Sequence, residues 1–91
     1  MTDLQILEAY PNAKKFTLND KVLWLSYPKR AMMGNVMANV TINPVTTLET
    51  FLLGTTITEH STLDMNNDEN FYSVMNDIFA WITEISNPQK K

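Results

Sequence analysis

Residues 68–85, DENFYSVMNDIFAWITEI, form the most regular stretch of this chain. Set Phe71 at zero on a helical wheel of about 100° per residue, and Ile78, Ile82, Met75, Ile85 and Val74 fall within about 60° of it. Trp81 lies at about −80°, Phe79 at about +80° and Tyr72 at about +100°. The apolar arc is about 180° wide, where about 100° suffices to pack one face against a sheet. Such a helix has to sit deep in a groove of the remaining structure, with its aromatic flanks covered by loops. Asn66 is the expected N-cap, Glu69 stands three residues on, and Asp68 and Glu69 occupy the first turn, where the helix dipole favours anions. Pro88 is the expected stop.

Upstream, KKFTLNDKVLWLSY reads as a β-hairpin around a two-residue Asn19-Asp20 turn. If Leu18 faces Lys21, then Thr17 faces Val22 and Phe16 faces Leu23. Alternation then puts Phe16, Leu18, Leu23, Leu25 and Tyr27 on one side of the ribbon and Val22, Trp24 and Ser26 on the other. Trp24 implies that the second side is covered as well. Thr2 with Gln5 is a capping-box pattern and predicts a short helix over 3–10, with Leu4 and Leu7 on one side and Pro11 ending it. PKRAMMGN reads as a loop. VMANVTI alternates, with Val36, Ala38, Val40 and Ile42 pointing one way, and predicts a strand ended by Asn43-Pro44. Residues 46–59 are ambiguous: Thr46 with Glu49 and Gly54 fit a short helix, but six threonines in fourteen residues favour a strand, which is the reading adopted.

The expected fold is therefore α+β: a short N-terminal helix, a three- to four-stranded antiparallel sheet, and a C-terminal amphipathic helix packed on one face. A chain of 91 residues suits one domain spanning 1–91, with 88–91 as a flexible tail. The chain contains no cysteine, which excludes disulfides and thiolate metal sites. Its N-terminus lacks the basic start and apolar run of a secretory signal, and no apolar run approaches the ~20 residues of a membrane span. A cytoplasmic protein is expected.

The net charge of −3 conceals a lopsided distribution. Lys14, Lys15, Lys21, Lys29 and Arg30 lie in the first thirty residues, against Asp3, Glu8 and Asp20. From Ala31 to Gln89 there is no Lys or Arg, and that segment carries Glu49, Glu59, Asp64, Asp68, Glu69, Asp77 and Glu84. Exposed helices ordinarily interleave Lys with Glu at i,i+4, and the last helix does not. Glu69, Asp77 and Glu84 share its polar side, spaced about 12 Å and about 10 Å along the axis.

Signatures of chemistry are weak. Asp64-Met65-Asn66-Asn67-Asp68 matches the opening of a calcium loop, but the sixth position is Glu69 rather than Gly and the twelfth is Met75 rather than an acid, so helix capping is the better reading. His60 is the only histidine and stands beside Ser61; a neighbouring pair of this kind does not make a triad or a zinc site. Two glycines, Gly34 and Gly54, cannot build a phosphate loop. Lys29-Arg30, Tyr27 and Lys14-Lys15 make at most a small basic patch, narrower than nucleic-acid binders show. Met32, Met33 and Met37 follow it, as core or as an adaptable contact surface. Residues 10–18, YPNAKKFTL, are similar to the entry of ASCH domains over nine residues, but the G-x-K-x-x-T element that should come next is absent, and no property is carried over.

These features point to a non-enzymatic protein-binding module, without cofactor or metal. The expected contact set is Glu49, Glu59, Asp64, Asp68, Glu69, Asp77 and Glu84, with Tyr72, Phe79 and Trp81 as aromatic anchors. The expected partner is a protein with a basic surface, without direct nucleic-acid or membrane binding; the functional class is an inhibitor of a nucleic-acid-binding complex of the phage or mobile-element anti-defence kind. The alternative is an assembly subunit forming a homodimer or larger homo-oligomer through sheet edges or those same aromatics.

Overall fold

A computed structural model describes residues 2–86. The elements run α1 (Asp3–Ala9), β1 (Lys14–Leu18), β2 (Lys21–Leu25), α2 (Arg30–Asn39), α3 (Pro44–Thr55), a 3-10 turn (Thr58–His60) and α4 (Asp68–Ser86). The class is α+β as expected, but the antiparallel sheet has two strands rather than three or four. Residues 88–91 and Pro88, expected as tail and helix stop, lie outside the described residues. Among the described residues, no helix is long and apolar enough to cross a membrane.

The hairpin forms in the anticipated register, Phe16 opposite Leu23, Thr17 opposite Val22 and Leu18 opposite Lys21. Asn19 and Asp20 have φ of 49° and 67°, the two left-handed residues of a turn whose twist matches the strands. One side of the ribbon, Phe16, Leu23 and Leu25, joins Leu48, Phe51, Ile78 and Trp81 in the main core. Trp24, on the other side, is buried with Ile6 of α1 and Ile57. The hairpin is thus covered on both sides, which is why a lone tryptophan could stand on its second face. In α1 the capping box is complete: Thr2 Oγ1 accepts from the Gln5 N–H at 3.3 Å and Thr2 N–H donates to Gln5 Oε1 at 2.9 Å. Ile6 faces the core, whereas Leu4 and Leu7 are exposed.

Both expected additional strands are helices. Residues 36–42 read as a strand because apolar positions at i and i+4 satisfy a period of two and a period of 3.6 alike. Burial separates the two. Val36 is buried, Met32, Met33 and Val40 are packed against the core, and Ala38 and Ile42 of the supposed inward row are exposed. The loop reading of 28–35 fails with it, since α2 begins at Arg30. In 44–55, Pro44 opens α3 at its first turn, where its missing N–H costs nothing. Leu48, Phe51, Leu52 and Thr55 share the inward side at helical spacing. Thr55 is tolerated inside because its Oγ1 donates to the Phe51 carbonyl at 2.8 Å. Gly54 is not the cap: it lies where α2 comes close, and a Cβ there would overlap the terminal methyl of Met32.

In place of a third strand, the irregular segment after α3 covers the outer edge of β2. Ser26 N–H donates to the Thr55 carbonyl and Ile57 N–H to the Trp24 carbonyl, each at 2.8 Å. Side chains complete the edge: Trp24 N–H donates to Ser61 Oγ and Val22 N–H to Thr62 Oγ1, each at 2.9 Å. Ser61 Oγ donates in turn to the Ile57 carbonyl at 2.8 Å. Ser61→Ala leaves the Trp24 N–H without that acceptor and should cost about 1–3 kcal/mol, read as a lower urea midpoint at unchanged slope.

Candidate partner-binding groove

The acids expected to act together are divided by the fold. Asp68 stands at about +60° on the α4 wheel, the side of Tyr72 and Phe79, whereas Asp77 and Glu84 stand at about −120° and −140° and Glu69 at about 160°. Glu59 lies in the 3-10 turn, where Tyr10 Oη donates to its Oε1 at 2.7 Å. That leaves Glu49, Asp64 and Asp68, and these three border one open groove of about 620 Å³.

The groove runs between α3 and the start of α4. Val45, Glu49 and Leu53, one turn apart on α3, form one wall; Asp68 and Tyr72 of α4, with Asp64, Met65 and Asn66 of the connecting loop, form the other. Its floor includes Leu52, Leu63 and Phe71, all buried. Above this floor, apolar side chains reach solvent: Leu53 is 89% exposed, Tyr72 55% and Val45 38%. Among the described residues, no lysine or arginine lines it. The one ion pair among the described residues joins Lys15 to Asp3 at 3.0 Å, on the far strand and α1, so the early cations do not neutralise the late acids there.

Local chemistry holds the acidic wall in place. Asp64 Oδ1 accepts from Asn66 N–H at 3.0 Å, and the Asp64 carbonyl accepts from Asn70 Nδ2 at 2.9 Å. The cap of α4 is Asn67 rather than Asn66: its Oδ1 accepts from Asn70 N–H at 3.1 Å. The segment that resembles a calcium loop therefore serves as a helix entry. Among the described residues, no cluster of three or more His, Asp or Glu side chains could hold a metal ion.

The aromatics are sorted by depth. Tyr72 faces outward and Phe79 is half-buried against the core. Trp81, expected at the surface as an alternative anchor, is 7% exposed and packs edge-on against Phe16, Phe51 and Tyr27, so it belongs to the core. A strand over 46–59 hides Leu53 and leaves Val45 outside any element; as residues of α3, with Glu49, they stand out as an i, i+4, i+8 stripe.

His60 stacks edge-on against Tyr10 at 6.3 Å between ring centroids, and the neighbouring Ser61 hydroxyl is engaged with backbone groups of Trp24 and Ile57. The basic residues Lys29 and Arg30 open α2, beside a separate hollow of about 450 Å³ lined by Tyr27, Lys29, Met32 and Gly54 among others.

The Tyr10–Glu59 contact has a pH signature. Donating to Glu59 raises the Tyr10 phenol above its ordinary value, with partial burial and the carboxylate charge acting in the same direction. A raised folded-state pKa means that the stabilisation is present below the unfolded value and is lost as alkaline pH passes through the folded one. The Tyr10 phenol should therefore show a late ionisation step, above the ordinary tyrosine value, in an ultraviolet titration of tyrosinate. In Glu59→Gln that late step should move to lower pH.

Comparison with known proteins gives no match to a family model, to a curated protein or to a solved structure.

Proposed function

We propose that this chain is a non-enzymatic binding module that occupies a basic surface of a partner protein. Its consequence would be inhibition: an acidic surface seated on a cationic groove competes with nucleic acid for it. That places it with the small anti-CRISPR or anti-restriction type proteins of phages and mobile elements, acting in the cytoplasm, by analogy of class. The observation that carries the reading is the set of three carboxylates, Glu49, Asp64 and Asp68, around a groove of mixed polar and apolar lining that holds no lysine or arginine among the described residues. The same field disfavours direct binding of phosphates or anionic lipid.

The test is affinity capture from host cells at low and high salt. At about 0.1 M salt the screening length is about 10 Å, and at 1 M it is about 3 Å. A specific partner with a basic surface should be retained at the first and shed at the second, and the complex should lose nucleic-acid binding when the module is added. Retention that ignores salt would refute the electrostatic reading.

A second reading, self-assembly, draws support from β1. Val22 and Trp24 turn their N–H groups away from β1, so the opposing Thr17 and Lys15 turn theirs to the outer edge. Exposed Leu4 and Leu7 offer a second contact. Light scattering with size exclusion decides: a monomer at all concentrations excludes it.

A further inference from the structure

We propose that the groove between α3 and α4 receives the apolar face of a cationic amphipathic helix from the partner. This rests on the binding reading above and names what is bound. Dimensions, charge and backbone chemistry each bear on the occupant.

Val45 and Leu53, with Glu49 between them, lie eight positions apart on α3, about 12 Å at 1.5 Å per residue. That is the length over which a bound helix presents anchors at i, i+3 or i+4, and i+7, about two turns. The floor of Leu52, Leu63 and Phe71 is already packed, so the groove is open without the bound chain having to create it. Exposed Leu53, Val45 and Tyr72 would bury apolar area that now faces water.

Charge defines the margins of the helix. Glu49 stands on one wall and Asp64 and Asp68 on the other, so Lys or Arg on both flanks of an apolar stripe meets carboxylate on each side. A second copy of this chain, placed on the groove about a two-fold axis, would set carboxylates against carboxylates and is disfavoured. An extended strand is also disfavoured. Strand addition needs an open sheet edge, and the groove is walled by side chains of two helices and a loop in which the Asn66 N–H and the Asp64 carbonyl are already engaged.

The test uses the full chain and two synthetic 18-residue peptides of identical Leu and Lys content. One is patterned with leucines on a single helical face; the other is scrambled so that no face forms. The helical peptide should bind at least about tenfold more tightly than the scrambled one, gain helicity on binding, and shift amide resonances of residues 45–53 and 61–72. Leu53→Lys with Glu49→Lys should weaken it at least about tenfold; both positions are exposed, so the melting temperature should hardly change. Asp77→Lys with Glu84→Lys, on another side of α4, should alter affinity less than about threefold. Equal binding of the two peptides, absence of binding, or shifts centred on Asp77 and Glu84 would overturn the proposal. A salt-sensitive partner captured from cells would still stand in those cases, so failure of the occupant and failure of the binding reading are told apart.

Discussion

Trp81→Ala should be the most damaging single substitution in this protein, lowering stability by about 3–5 kcal/mol. Trp81 lies at the junction of three layers: its ring meets Phe16 of β1 at 6.0 Å, Phe51 of α3 at 6.3 Å and Tyr27 beyond β2 at 6.5 Å, all edge-on. Truncation removes one of the two buried indoles and leaves a cavity between rigid neighbours, because interiors packed at crystal density relax only in part. A small domain holds about 5–15 kcal/mol in total. The urea midpoint should fall by about 2–3 M for a slope near 1.5 kcal/mol per M. Tyr72→Ala, on the same helix but 55% exposed, should change it by less than about 0.5 kcal/mol. Equal losses for the two would mean that α4 is seated the other way round.

Reversal of the groove charge should have the largest effect on association. Glu49→Lys with Asp68→Lys replaces two of its three carboxylates with cations; Asp64 is spared because its Oδ1 holds the turn before α4. Placing Lys at the first residue of α4 opposes the helix dipole and should cost only about 0.3–1 kcal/mol of stability. The association rate with a cationic partner captured by the wild-type chain should nevertheless fall by about ten- to a hundredfold at low salt, with a smaller loss at high salt. Stopped-flow or surface-based kinetics at two salt concentrations reads this. An unchanged rate would move the contact surface elsewhere, to the Asp77 and Glu84 side first.

Local chemistry explains which elements were legible in advance. The Asn19-Asp20 turn sets the hairpin register through two residues that accept positive φ, and the Thr2–Gln5 box closes within one turn of α1. The apolar arc of α4 was equally visible, though not its tilt. Val74 and Trp81 go inward and Tyr72 outward, so the buried side is rotated toward negative angles on the wheel. The stretches 36–42 and 46–59 were misread because their local signals conflict. Val36 and Val40 fit either period, and six threonines mask the helical order of Leu48, Phe51, Leu52 and Thr55. The groove shared that fate: its α3 wall cannot be seen while 46–59 is taken for a strand.

By itself, the sequence determined the hairpin, the two terminal helices and the long interval without Lys or Arg, because each depends on neighbours within a few residues or on composition alone. Tertiary structure decided that the middle of the chain is helical, since packing on the hairpin and α4 outweighs the weak β preference of threonine and valine. It also decided which carboxylates meet. Glu49 and Asp68 are nineteen positions apart in sequence, and only the tertiary fold puts α3 and the start of α4 on the borders of one groove.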